Sequence, residues 1–355
     1  MKRLPVTSLP PGTTVLAVSA VASVWGMIAV AAVAPEMTGI LRTFFAILLA
    51  AAAGWLVYLP DFRYWQRISA AMGIVMLVLL FAVAVAGVEI NGMRGWFDLG
   101  ICTIQPSEIA KPFFALAVTG LFLSGEKKKR QSGLLLTGAY LAAVAMEPDF
   151  GTLSIYAAGG FAAAFLAGAE LKHLLTAFAV TAAGAACYVW TAKYAVIRIY
   201  EYFFHGSIAE SPWHWRQMQI AAARGGWGGT GSENTWWSSE YLPLAHNDSL
   251  YSVIAEGAGA GGAVFVSILW CIWGCGVYRM AVQASGRERK SFIAVLGVMT
   301  LFQAGLHIAV NTGLLPITGI NLPLMSDGGS ALLTGGIITG LIFSAARKGA
   351  GVKIA

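Results

Sequence analysis

The side chains best suited to chemistry cluster around short stretches rich in glycine and proline. Asp248 ends the run Tyr241-Leu-Pro243-Leu-Ala-His246-Asn247-Asp248 and leads straight into an apolar segment. A carboxylate where water meets lipid is partly desolvated, which makes it a better general base. The same position also suits a helix N-cap. His246 could serve as a base or a metal ligand, although a lone loop histidine is more often neither. Glu256 follows about two turns later. In Gln105-Pro106-Ser107-Glu108-Ile-Ala-Lys111, Glu108 and Lys111 are three apart and share a helix face. Both stand at the lip of an apolar run, where an unpaired charge is costly. They form either an ion pair that pins the helix or a cation held ready for a phosphate. Arg94, in Asn91-Gly-Met-Arg94-Gly-Trp96, would then join as a bidentate phosphate ligand. Asp149, in Glu147-Pro-Asp149-Phe-Gly151-Thr152, reads as a helix cap or a site carboxylate.

These groups must be held by elements that live in lipid. Of 355 residues, 57% are hydrophobic and only 11% charged, against about 25% charged in an ordinary soluble domain. That excludes a soluble globule and a disordered chain, and points to an all-α polytopic membrane protein in one domain over 1–355. Ten apolar runs are candidate spans: 13–34, 39–59, 68–88, 107–125, 133–147, 150–169, 172–192, 250–277, 291–311 and 328–346. They lack the in–out alternation of a membrane barrel. The basic Met1-Lys2-Arg3 start leads into the first run without a cleavable signal. With both termini in the cytoplasm, 16 of 23 basic residues fall on inner segments and 13 of 17 acidic residues on outer ones. The clusters Lys127–Arg130 and Arg287–Lys290 are therefore topology signals, and no nucleic-acid role is expected.

Chemistry is expected on the outer face, whose charges are mixed. It holds Glu89–Pro106 and a loop over roughly 193–249 between spans seven and eight. Five of the twelve tryptophans (Trp213, Trp215, Trp227, Trp236 and Trp237) sit in that loop, as an interfacial belt would have them. Glycine density over Arg224–Gly231 means backbone approaching something closely. As a phosphate loop it fails, because no Gly-Lys-Ser/Thr ending follows. Asn311–Ser330 carries two prolines and several glycines, so it is an irregular segment that protein or water must cover. Gly336 and Gly340 have the spacing of close helix contact. Cys102, Cys187, Cys271 and Cys275 complete no metal set, and three of them read as small core residues. No internal repeat argues for a transporter.

Six stretches, in order, resemble the SEDS family (shape, elongation, division and sporulation; FtsW, RodA and SpoVE). They are Asn91-Gly…Arg94…Trp96, Gln105-Pro-Ser-Glu…Lys111, Pro148-Asp-Phe-Gly-Thr152, Gln217…Gly225-Gly226…Gly229…Gly231, Leu242-Pro…His246-Asn-Asp248 and Leu315-Pro…Thr318-Gly…Leu322-Pro…Ser326…Gly328-Gly-Ser330. Phe165-Leu-Ala-Gly-Ala-Glu170-Leu looks closer to the FtsW branch. The resemblance implies a ten-helix peptidoglycan glycosyltransferase that polymerises lipid II on the outer face of the bacterial cytoplasmic membrane. It also implies a class B penicillin-binding protein (a transpeptidase) as partner, among other divisome or elongasome membrane proteins. Asp248 matches the family's essential carboxylate and would act as general base. Arg94, Trp96, Gln105, Glu108, Lys111, Asp149, His246, Glu256 and Ser330 are the substrate-binding candidates. Arg94 and Lys111 would offset the leaving pyrophosphate, with a divalent cation (Mg or Mn) as an optional aid. The chain departs from the family pattern at Ser249 and Tyr251 after the Asp, at Gly257 in place of a second Glu, and at Asp327 in place of Tyr. Two other readings compete: a lipid II flippase, and a non-catalytic scaffold for the transpeptidase.

Overall fold

The computed structural model describes residues 10–90, 92–100, 102–170, 172–176, 179, 184 and 213–347. Helices α1 (Pro11–Val33), α2 (Met37–Tyr58) and α3 (Phe62–Ala86) come first. A small sheet follows, of β1 (Val88–Ile90), β2 (Met93–Asp98) and β3 (Thr103–Ile104). Then come α4 (Pro106–Leu123), α5 (Lys127–Ala145), α6 (Phe150–Leu166), α7 (Trp213–Gly225), α8 (Trp236–Tyr241), α9 (Leu250–Gln283), α10 (Arg287–Asn311) and α11 (Gly329–Ala346). Nine of the ten expected spans are thus helical, close to their expected bounds. The seventh lies mostly outside the described residues, with only its start, 172–176, described as helix. Met1-Lys2-Arg3, Asn91, Cys187 and the first part of the long loop, with Lys193 and Arg198, also lie outside them.

Among the described residues six helices, α1 to α3 and α9 to α11, are long and apolar enough to cross a bilayer core. Phe45, Trp55, Leu56 and Val78 on α2 and α3 face outward, more than half exposed. Water would not tolerate such a surface, but lipid does. The chain is a multi-pass membrane protein. Cys271 and Cys275, expected in the core, are exposed on α9. This corrects the core reading: in lipid a small apolar thiol is as stable facing out as facing in, so an apolar run does not tell which way it points.

The bundle is tied at several levels. Phe114, Tyr140 and Tyr156 stack with ring centroids 4.8 to 5.3 Å apart and join α4, α5 and α6. Their hydroxyls are satisfied in the interior: Tyr140 donates to the Gly73 carbonyl at 2.7 Å and Tyr156 to the Ser107 carbonyl at 2.8 Å. On α11, a Cβ at Gly336 would fall 2.0 Å from the Ala50 carbonyl oxygen, and one at Gly340 would fall 2.1 Å from that of Gly54. This is the close α2–α11 contact expected from the glycine spacing. Gly336→Ala is therefore expected to force the two helices apart and destabilise the bundle by about 2 kcal/mol. Thermal melting of the detergent-solubilised chain reads this, and an unchanged midpoint would refute the contact.

The two ends of the bundle differ. One end gathers Arg63, Arg67, Lys127 to Arg130, Arg287, Arg289 and Arg347, cross-linked by Arg289 to Asp61 at 3.3 Å and by Arg287 to the Leu166 carbonyl at 2.9 Å. This is the basic end. The opposite end carries the sheet, α7, α8 and the 312–328 segment, and is called the hairpin end here.

The sheet corrects the reading of 89–106 as loop. Ile90 pairs with Met93, and Phe97 with Ile104, in antiparallel register. Asn91-Gly92 lies between the first two strands, the dipeptide most favoured in two-residue hairpin turns, and Gly92 has φ +79°.

Candidate functional site at the hairpin end

Asp248 stands just ahead of α9, whose N-cap residue is Ser249. It therefore lies outside the cap position that the sequence also allowed. Its side chain is half-buried. A Cβ built on Gly319 would lie 3.5 Å from Asp248 Oδ2 and 3.8 Å from Met93 Cε. Three separate segments thus meet at the carboxylate: the start of α9, the 312–328 segment and strand β2.

A polar stripe on α10 fixes this meeting point. Gln303, His307 and Asn311 follow one another at i, i+4 and i+8, so they share one face. All three are buried. Asn311 Nδ2 donates to the Asp248 carbonyl at 2.9 Å, while its Oδ1 accepts from Ser252 N at 3.1 Å and Ser252 Oγ at 2.9 Å. His307 Nδ1 lies 2.6 Å from the Ile320 carbonyl, and Tyr251 N donates to His307 Nε2 at 3.4 Å. A carbonyl only accepts, so Nδ1 carries the proton. Gln303 Nε2 donates to the Asn321 carbonyl at 3.1 Å. The Asp248 backbone and the segment facing it therefore hang from one helix. The sequence reading passed over this stripe as part of a span. Its signal was three polar side chains repeating every four residues in apolar surroundings.

Lys111 lies inside the bundle, 1% exposed. Its ammonium donates to Glu108 Oε1 at 2.6 Å and to Gln303 Oε1 at 2.8 Å. The Glu108–Lys111 pair is thus the pinning ion pair, linked through Gln303 to Asn321, and it does not sit at a surface mouth beside Arg94. Arg94 projects from β2, half-exposed, 3.9 Å from Glu89 across the hairpin. Trp96, two residues on, is half-buried and pairs with Val88. Gln105 precedes α4, and its N–H donates to Ser330 Oγ at 3.0 Å, which joins the sheet to the start of α11. Asp149 caps α6 by accepting from Thr152 N at 2.9 Å. Burial pushes Asp149 above the ordinary carboxylate range, against the opposing pull of the Thr152 N–H and the Lys111 charge.

Glu147, two residues earlier, was quoted only as part of the turn. It is 1% exposed, and neither carboxylate oxygen makes a hydrogen bond among the described residues. A Cβ at Gly95 would lie 3.0 Å from its Oε2, so the acid is tucked beneath the hairpin. Burial, then the neighbouring Asp149 charge, raises it to about 8, and the Ser107 hydroxyl, close by but outside hydrogen-bond geometry, pulls the other way.

His246 accepts from Asp327 N through its carbonyl at 3.0 Å. Burial holds its imidazole below the usual value, with Asp327 and Arg42 acting in opposite senses. Asp327 is ion-paired to Arg42 on α2. Ser249, another departure from the family pattern, places its Oγ 2.9 Å from His214 Nε2 and donates to the Pro243 carbonyl at 3.0 Å.

Glu256 is fully buried. Its carboxylate accepts from Arg224 Nε at 3.1 Å, Ser238 N at 2.9 Å and Ser238 Oγ at 2.5 Å. It anchors the long loop, and substrate cannot reach it in this arrangement. The glycine run does approach something closely, namely α9. Thr230 N donates to the Glu256 carbonyl, Gly231 N to that of Gly257, and Ala260 N to that of Gly226, all at 2.8 to 2.9 Å. At this joint α9 breaks at Gly259, with φ +67°, a value only glycine adopts freely. Trp227 and Trp213 are exposed on the loop, as an interfacial belt requires.

Among the described residues no three His, Cys, Asp or Glu side chains converge as a metal set. At the hairpin end Glu108 is engaged by Lys111, Glu256 by Arg224 and Asp327 by Arg42. The residues described here do not supply a protein cage for a divalent cation.

Comparison with known proteins gives the family and the fold. A family model for FtsW, RodA and SpoVE, described as a cell cycle protein, matches residues 11–350. The chain is 35% identical over 326 residues to the probable peptidoglycan glycosyltransferase FtsW of Thioalkalivibrio sulfidiphilus (strain HL-EbGR7), covering 85% of this chain and 78% of that protein. It is 32% identical over 310 residues to the corresponding protein of Nitrosococcus halophilus (strain Nc4), covering 83% and 79%. Its fold matches the crystal structure of the rod shape determining protein RodA of Thermus thermophilus with TM-score 0.73 at 24% identity, over 94% of this chain and 95% of that one. A chain from work on "structural coordination of polymerization and crosslinking by a peptidoglycan synthase complex" matches with TM-score 0.80 at 24% identity, over 94% and 96%. With a family model spanning nearly the whole chain and relatives above 30% identity over most of it, this protein belongs to the FtsW/RodA/SpoVE family.

Proposed function

We propose that the chain is a peptidoglycan glycosyltransferase that polymerises lipid II into β-1,4 glycan strands, with Asp248 as general base. The observation that carries this reading is the half-buried Asp248 carboxylate at the junction of three segments, its backbone fixed by Asn311. The acceptor sugar's 4-hydroxyl attacks the anomeric carbon of the lipid-linked donor. Its proton passes to Asp248 as the new C–O bond forms. The bond from the anomeric carbon to the pyrophosphate breaks, and undecaprenyl pyrophosphate leaves with the electron pair. One base and one displacement invert the α-linked donor to a β product.

Arg94, half-exposed on the hairpin, is a cation available to the pyrophosphate. Lys111 acts one step removed, by holding Asn321 through Gln303. Trp96 and the long loop frame the sugars. A divalent cation would arrive with the pyrophosphate, as Mg²⁺ is commonly shared between phosphates and one or two carboxylates.

The protein works as one membrane domain of ten spans in the bacterial cytoplasmic membrane, the seventh within 172–192. The hairpin end faces outward and the basic end faces the cytoplasm, a reading supported by the segregation of cations. A class B penicillin-binding protein is the proposed partner, supported by the fold shared with a chain from a peptidoglycan synthase complex. The test is incubation of the purified chain with lipid II, with and without that transpeptidase, and electrophoresis of the products. Glycan strands support the reading; unconsumed lipid II under both conditions overturns it.

Asn311→Leu probes the positioning stripe. It leaves the Asp248 carbonyl without its side-chain donor and is expected to slow polymerisation by about tenfold or more. The accompanying stability cost is about 1–3 kcal/mol. A wild-type rate in this variant would remove Asn311 from the mechanism.

A further inference from the structure

A cavity of about 590 Å³ opens at the basic end between α3, α4, α5 and the start of α10. It lies about 20 Å along α4 from the hairpin end, since Thr119 on its wall is far down that helix. The proposed reaction uses none of its residues. Three cations line it, Arg63 and Arg67 on α3 and Lys129 on α5, against one carboxylate, Glu288. That carboxylate accepts from Gln66, and Lys129 is matched by Glu126 at 2.7 Å. Arg63 and Arg67 have no carboxylate within ion-pair distance among the described residues. They stand at i and i+4 on one helix face, where like charges repel unless an anion sits between them. Thr119, 3% exposed, lines the same cavity, and its hydroxyl has no hydrogen-bond partner among the described residues.

We propose that this cavity binds a phosphate-bearing ligand, either an anionic phospholipid headgroup or a soluble phosphoester, through Arg63, Arg67 and the Thr119 hydroxyl. Two guanidinium forks offer paired donors, and the buried Thr119 hydroxyl in the same wall is left without a partner among the described residues. A phosphate has oxygens enough for all of them, whereas a carboxylate has two. The volume is that of a small-molecule site, and Phe62 and Phe292 give it apolar walls that suit the root of an acyl chain. Assigning a bound lipid to the cytoplasmic leaflet rests on the orientation proposed above; the phosphate chemistry does not.

The test uses the full chain in detergent and follows binding by thermophoresis, independently of polymerase activity. Dioctanoyl phosphatidylglycerol is expected to bind saturably and dioctanoyl phosphatidylcholine weakly or not at all. The double variant R63Q/R67Q should weaken binding by at least about tenfold, and Thr119→Val by about fivefold. The double variant K127Q/K128Q, which also removes two positive charges at the same end but outside the cavity, should leave it unchanged. Competition with glycerol 3-phosphate separates the sources: displacement identifies a soluble phosphoester as sufficient, and no displacement identifies the lipid. Non-saturable binding, or equal losses in K127Q/K128Q and R63Q/R67Q, would overturn the proposal as diffuse surface attraction.

Discussion

Asp248→Asn is expected to lower lipid II polymerisation by about 10²- to 10⁴-fold, the usual range for loss of a general base. Asparagine keeps the size and shape of the side chain but cannot take up the hydroxyl proton. The Asn311 bond goes to the main chain, so that anchor of the loop is kept in the variant, and a thermal melt reports any change in the fold separately. Activity and stability are thereby separated in one variant. Glycan strands from the wild type that vanish in Asp248→Asn are the expected result. If lipid crosses the bilayer undiminished in Asp248→Asn while no polymer ever forms, a flippase is at work. If neither protein acts on lipid II yet both hold the transpeptidase, the chain is a scaffold. Strands made at full rate by the variant would refute the assignment of the base.

The second large effect concerns Glu147. Its carboxyl is raised from 4.5 to about 8, first by burial and then by Asp149. Between those values the folded chain keeps the proton while the unfolded chain has released it. Stability contributed by the neutral acid is therefore complete below pH 4.5, falls as pH rises toward 8, and is gone above it. At about 1.36 kcal/mol per unit, the loss is on the order of a few kcal/mol. Glu147→Gln keeps a neutral group there at every pH. Its melting point is expected to exceed that of the wild type above pH 8, with the decline between pH 5 and 8 largely removed. Thermal melts across that range check this, and parallel curves for the two proteins would show that the acid does not titrate as described.

Much of the architecture could be read from residues because lipid leaves the backbone few choices. Continuous apolar runs must be helices, and nine of the ten proposed runs are. The hairpin at 88–104 was missed because its strands are two to six residues long and do not alternate cleanly, although Asn91-Gly92 marks its turn. The position of Asp248 was legible, since a carboxylate directly before an apolar run has few places to go. The parts of Lys111 and Glu256 were not. Both carry charges at a span lip, and only the fold shows that Gln303 and Glu108 engage one while Arg224 and Ser238 engage the other. Pairings between residues far apart in sequence leave no local pattern. The stripe Gln303, His307, Asn311 did leave one, at helical spacing, but its purpose depends on which segments fold back over it.

The seam between the glycine run and α9 has a consequence for divergence. Its bonds run from main chain to main chain, through Thr230, Gly231 and Ala260 nitrogens. Amide groups are common to every residue, so this part of the latch, unlike the Glu256 anchor beside it, does not depend on which side chains flank it. Trp227, fully displayed on the far side, is free to be exchanged for another surface group without opening the seam. Gly225 is not, because any Cβ there would overlap the Ala255 carbonyl oxygen. A lineage can therefore repaint the outer side of the loop for a new docking companion while its attachment to α9 stays in place.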